Sequence, residues 1–285
     1  MLKLISLSFL ILWPFWGQLS EGPVKKDITL CHSVMPSSMA DFVSDPEFIN
    51  MHPSPLAFDF NGLGQEITLK AADGKNVGAY FIKSKVESNQ WLFVYQEWWG
   101  LNDNIRNQSD KYFSDLGAHV NVLALDMYDG KVTANPSEAG KLMQGADQKR
   151  LETIMKVGLS YAGKDAKIAS VGWCFGGGLS LKSALVNGQQ SVGSVMYYGM
   201  PVNDVAQLKM LSSDVLGLFA TEKWIGQEII EKFADNMEKA GKKLTYKIFD
   251  AVHGFANPSN PKHDPEAAKT AYKMSLDYLK AKFNV

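Results

Sequence analysis

The fold turns on thirteen residues, Ala166 to Gly178, which read AKIASVGWCFGGG. The first part is short, apolar and rich in β-prone residues, and it predicts a strand. The second part runs into GGLSLKSALVNG, which has the composition of a helix. Between them Gly172 and Gly176 stand two residues either side of Cys174, in the form G-x-C-x-G. That is the pattern of a nucleophile elbow with sulfur in place of the serine oxygen. The elbow residue adopts a strained backbone, and side chains two positions away would collide with the neighbouring strand and helix. Such a turn lifts the sulfur to the carboxyl end of the sheet, where open α/β sheets place their sites. It also points a helix N-terminus at the sulfur, favouring thiolate, and offers the Phe175 N–H to an oxyanion. A phosphate-binding loop is excluded, because no Lys-Ser or Lys-Thr follows the glycines.

Outward from the elbow, strands and helices alternate. WLFVYQ, HVNVLALDMY, AKIASVG, VGSVMYYG, DVLGLFA and LTYKIFD read as strands. NDNIRNQSDKYFSDLG, residues 137–161, GQEIIEKFADNMEKAG and the span from Pro265 to Phe283 read as helices, with Asn102 or Asp103 able to cap the first and Gly117 to end it. Residues 65–83 read as a hairpin about Asp73-Gly74. This order predicts an α/β fold, with a mostly parallel central sheet and helices on both faces.

The chain has 285 residues, 46% hydrophobic and 21% charged, with a formal net charge of -1. It is long enough for one large domain or two small ones. The near-neutral balance offers no electrostatic basis for binding nucleic acid or an anionic membrane.

The N-terminus is unusual. One lysine precedes an apolar run from Leu4 to Trp16, broken by Pro14 and followed by polar residues. The run is short for a spanning helix, which needs about 20 residues. It has the pattern of a secretory signal peptide over residues 1–20, with an uncleaved anchor as the alternative. Export to a secreted or periplasmic location follows, with no stable membrane insertion after processing. Residues 21–56 read as an N-terminal extension with one short helix near SMADFVSD, and residues 57–285 as the α/β domain. In an oxidising compartment Cys31 and Cys174 have the chance to pair, but an elbow cysteine is placed for access rather than as a staple.

An elbow nucleophile needs a base and an acid, in the order nucleophile, acid, histidine. His253, in FDAVHGFANP, follows the last predicted strand and is the candidate base; His263 sits in a polar helix approach. Glu222, in FATEKWIG, is the first carboxylate beyond DVLGLFA and the candidate acid.

Together QEWWGLNDNIR, ALDMYDGK, GWCFGGG, FATEKWI and AVHGFANPSNP resemble the dienelactone hydrolase family of α/β-hydrolases, over residues 57–283. The resemblance implies a Cys-Asp-His triad acting on small esters and lactones, with Cys174 and His253 in two of the places. Glu222 falls where the family usually carries aspartate. It further implies that Glu97 contacts the nucleophile and that the Trp98 N–H is the second oxyanion donor. Family members that hydrolyse lactones hold a substrate carboxylate with an arginine; Arg106 matches a position on the first helix, and Arg150 and Lys141, in the helical region after DMYDGK, are the other candidates, none of them fixed by spacing. Trp173 and Trp224 belong to a set of aromatics that either line a substrate mouth or fill the core. No metal or organic cofactor is implied, since no His, Cys and Asp cluster has ligand spacing along the chain. The competing reading is a non-catalytic secreted relative that uses the pocket to bind a small ligand.

Overall fold

The computed structural model describes residues 38–57 and 60–285. The expected signal peptide, residues 1–20, and Cys31 lie outside the described residues.

Eight strands form one sheet: β1 (Gln65–Lys70), β2 (Asn76–Ile82), β3 (Gln90–Tyr95), β4 (Asn121–Leu125), β5 (Lys167–Trp173), β6 (Ser191–Tyr197), β7 (Val215–Ala220) and β8 (Leu244–Phe249). Their spatial order is β1-β2-β4-β3-β5-β6-β7-β8. The β1–β2 and β2–β4 pairings are antiparallel, and the rest are parallel. The hairpin expected over residues 65–83 is β1–β2, with Gly74 at φ 80° in its turn. Among the described residues the α-helices are α1 (Pro46–Asn50), α2 (Asp103–Asp115), α3 (Pro136–Gln144), α4 (Gln148–Ala162), α5 (Phe175–Asn187), α6 (Val205–Leu208), α7 (Gln227–Lys239) and α8 (Pro265–Phe283).

The central strands read as unbroken apolar runs because both faces are covered. Every residue of β4 is buried, as is every residue of β3 after Gln90. Asn102 caps α2 by accepting from the Ile105 N–H. The single helix expected over 137–161 is two. Gly145 ends α3, and the Asp147 side chain caps a new start by accepting from the Arg150 N–H.

The chain order reverses around β3: β4 lies on one side of it and β5 on the other. This is the switch point at which open α/β sheets leave a crevice beyond their carboxyl ends. Tyr95 of β3 is paired in register with Gly172 of β5. Glu97 and Cys174, each two residues further on, therefore leave the sheet at the same level.

The described part of the N-terminal extension packs on this same end of the sheet. It consists of a 3-10 turn at Met39–Phe42, capped by Ser38, and α1, capped by Asp45 with Pro46 at its first position. The Pro-rich run after α1 continues along the crevice, with Pro53 and Pro55 lining it beside Cys174. We refer to residues 38–56 as the strap.

Candidate active site

Cys174 joins β5 to α5 at φ 56°, ψ -121°. A non-glycine residue here is strained by roughly 1–3 kcal/mol. Backbone bonds hold the conformation: the Cys174 N–H donates to the Tyr197 carbonyl (3.0 Å), and the Gly177 N–H donates to the Cys174 carbonyl (2.9 Å). The flanking glycines are required by close approach. A Cβ on Gly172 would lie 2.1 Å from the Gly176 carbonyl oxygen, and one on Gly176 would lie 2.3 Å from that of Tyr95. Phe175 begins α5, so its N–H has no acceptor within the helix.

His253 lies in the loop after β8 and is buried. Its Nδ1 is 2.8 Å from Oε1 of Glu222, itself in the loop after β7. The two loops are tied together, because the Thr221 N–H donates to the carbonyls of Phe249 and Ala251. Glutamate in place of aspartate therefore still reaches the imidazole. A carboxylate accepts, so Nδ1 carries the proton and Nε2 faces Cys174. Burial pulls the imidazole toward its neutral form. The charges of Glu222 and Cys174 and their hydrogen bonds outweigh it, and His253 stands well above the ordinary histidine value.

Glu97 and Trp98 follow β3, and both are buried. Glu97 shares the cavity with Cys174, and its hydrogen bond is from Asn257 Nδ2 to Oε2 (2.5 Å). Asn257 is itself oriented by the Ser259 N–H and hydroxyl, which donate to its Oδ1. Burial pushes the Glu97 carboxyl up to about 7, against the pull of His253 and the Asn257 bond.

The strap closes the site from above. The Met39 thioether sulfur lies 3.8 Å from Cys174 Sγ. His52 is wedged among Phe48, Trp98 and His253, with ring centroids 4.5, 4.5 and 4.7 Å away. Its Nδ1 is 2.7 Å from the Phe48 carbonyl. Burial, helped by the charge of His253, holds His52 down at about 3, so it is neutral at physiological pH. The cavity that remains, lined by His52, Glu97, Trp98, Cys174, His253 and Asn257 among others, has a volume of about 10 Å³. That is room for about one water molecule.

The three residues expected to touch substrate do not line this cavity. Arg106 is turned outward into ion pairs with Glu66 (2.6 Å) and Asp103 (3.2 Å). Trp173 precedes the elbow, and its ring turns into the core, stacked on Tyr197. Trp224 lies under the strap, where its Nε1 donates to Asp45 Oδ2 and its ring meets Phe48 edge-on. Sequence reasoning missed Met39, His52 and Asn257. His52 lies in a Pro-flanked stretch without periodicity, so nothing local marks it. Asn257 lies inside the AVHGFANPSNP segment, four residues after the base. His52, Cys174 and His253 offer metal-ligating atoms within 4.8 Å of one another, a grouping that spacing along the chain does not reveal.

A mostly parallel sheet with a strained nucleophile-type elbow after its central strand, and a carboxylate-held histidine after its last, defines the α/β-hydrolase class. The dienelactone hydrolase family profile matches residues 77–283. The chain belongs to this family, and with it to the carboxylic ester hydrolases. Protein usf of Aquifex pyrophilus is 24% identical over 216 residues, covering 70% of this chain and 93% of that one. The carboxymethylenebutenolidase of a Pseudomonas species is 26% identical over 117 residues, covering 41% and 48%. Among solved structures, a dienelactone hydrolase-like promiscuous phosphotriesterase from metagenomic libraries superposes with a TM-score of 0.66 at 21% identity, covering 78% of this chain and all of that one.

Proposed function

We propose that the protein hydrolyses small esters or lactones through a Cys174–His253–Glu222 triad and a thioester intermediate. The observation that carries this reading is the buried 2.8 Å contact between His253 Nδ1 and Glu222, which leaves Nε2 directed at the strained Cys174. In this mechanism the Cys174 thiolate attacks the substrate carbonyl, and the Phe175 and Trp98 N–H groups stabilise the oxyanion. His253 gives its Nε2 proton to the departing alcohol. It then takes a proton from the water that hydrolyses the thioester, and returns it to the sulfur. Glu222 keeps the tautomer and supports the imidazolium.

A 10 Å³ cavity admits no ester, so the strap swings away before substrate binds. Export of the chain rests on the apolar run Leu4–Trp16; the N-terminal mass of the protein recovered from cell fractions tests it, and an intact Met1 in the cytosol contradicts it. The hydrolase reading is tested with a panel of p-nitrophenyl esters and simple lactones. Wild type turns over at least one of them, and folded Cys174→Ala turns over none. Near-wild-type turnover by Cys174→Ala overturns the mechanism.

A further inference from the structure

We propose that the closed site binds one soft divalent cation, Zn2+ by its donor set, through Cys174 Sγ, His253 Nε2 and His52 Nε2. The three ligand atoms lie within 4.8 Å of one another. In a tetrahedral zinc site with bonds of about 2.0–2.3 Å, neighbouring ligand atoms are roughly 3.3–3.6 Å apart. Drawing the most widely separated pair in to that spacing takes a movement of at most roughly 1.5 Å.

The surroundings of the two histidines argue for a ligand rather than for packing alone. Each ring is held at Nδ1, His253 by the Glu222 carboxylate and His52 by the Phe48 carbonyl. Carboxylates and carbonyls at Nδ1 are the partners that orient metal-bound histidines and fix the tautomer with its lone pair on Nε2. His52 Nε2 is buried without a hydrogen-bond partner among the described residues, and His253 Nε2 meets only the Cys174 sulfur. Buried polar atoms are costly when unmatched. The cavity they share has room for about one water-sized particle, which suits an ion and no organic ligand. A thiolate with two imidazoles is a soft set that selects zinc over magnesium or calcium. Three protein ligands leave a fourth position for water.

The ion ties the nucleophile and the base to the strap through His52. The loaded protein is therefore closed and inactive, and removal of the ion releases it. Binding displaces one proton to solvent. It comes from the thiol if Cys174 and His253 are neutral, and from the imidazolium if they form a thiolate–imidazolium pair; neutral His52 contributes none.

The proposal rests on the grouping of these side chains and not on hydrolysis of any ester, so its failure leaves the hydrolase reading standing. The probe is Co2+, titrated into the metal-free full-length protein with a non-chelating reductant. We expect one Co2+ per chain, a thiolate-to-cobalt charge-transfer band in the near ultraviolet, intense visible bands of four-coordination, displacement by equimolar Zn2+, and one proton released per ion. His52→Phe keeps a ring between Phe48 and Trp98 and should weaken binding by about 100-fold or more, since loss of an outer partner alone costs 10–100-fold. His52→Gln provides the same comparison if the Phe variant does not fold. Cys174→Ser should lose the charge-transfer band. Absence of stoichiometric binding to wild type, unchanged affinity in the folded His52 variant, or a charge-transfer band that survives Cys174→Ser would each overturn the proposal.

Discussion

Two buried histidines approach Cys174, and the elements that carry them have set them opposite tasks. His253 comes from the domain, in the loop after β8, with a carboxylate at Nδ1. His52 comes from the strap, with a carbonyl at Nδ1. The rings are 4.7 Å apart and both are buried, yet one stands well above the usual histidine value and the other is held at about 3. Burial disfavours the charged form of both. The partner charge decides the outcome: Glu222 and Cys174 supply one for His253, whereas the Phe48 carbonyl supplies only a dipole for His52. A histidine that gains a proton during turnover is built by the first arrangement. The second builds a permanently neutral nitrogen.

The largest effect that separates the two belongs to His253. His253→Ala should lower kcat by about 10⁴-fold or more, as expected when a triad base is removed. Glu222→Ala should cost about one to two orders of magnitude less, because the acid orients and stabilises rather than transfers the proton. Steady-state kinetics on a turned-over ester reads both. Equal losses would show that Glu222 does more than orient, and no loss at Glu222 would remove it from the triad.

The strap side is sharpened by Phe48→Ala. Phe48 is fully buried, and its ring meets Trp98 and Trp224 edge-on. Its truncation costs about 3–5 kcal/mol in a core. Any part of that cost that falls on strap docking favours the open form, at tenfold per 1.4 kcal/mol. Alkylation of Cys174 by iodoacetamide should therefore quicken by tenfold or more. An unchanged rate in folded protein would mean that the strap does not gate the sulfur.

The smallest effect is on stability and belongs to Glu97. Folding raises its carboxyl from an ordinary 4.5 to about 7. Between these values the folded state holds a proton that the unfolded state has released. Stability is therefore greatest below about pH 4.5 and declines as pH rises through about 7, by about 3 kcal/mol from this group. Glu97→Gln removes that slope, and its Tm should exceed the wild-type value at pH 8 by several degrees and approach it at pH 5. A parallel pH dependence of Tm in the two proteins would contradict the burial of the Glu97 carboxyl.

The same division explains what was legible in the sequence. The elbow is a local steric solution: Gly172 and Gly176 are glycine because neighbouring backbone lies within 2.1–2.3 Å of where a Cβ would sit, and that demand is written five residues wide. His253 and Glu222 follow from strand order, and strand order follows from apolar runs. The strap has no such signature. Its helices are four and five residues long, too short for periodicity, and its place over the crevice depends on contacts such as Met39 with Cys174, Phe48 with Trp224 and His52 with His253, 135, 176 and 201 positions apart. Arg106 shows the same limit: a match on a helix says nothing of Glu66, which comes from β1 and pairs with the guanidinium.

The central claim is that Cys174 forms the covalent intermediate. It is tested most directly by mixing the protein with p-nitrophenyl acetate, quenching in acid within the first turnover and mapping the adduct by peptide mass spectrometry. An acetyl group on the peptide containing Cys174, released from intact protein at the rate of turnover and absent from Cys174→Ala, is the predicted result. An acetyl group on another residue at the turnover rate, or turnover in Cys174→Ala with no adduct at this position, would contradict it.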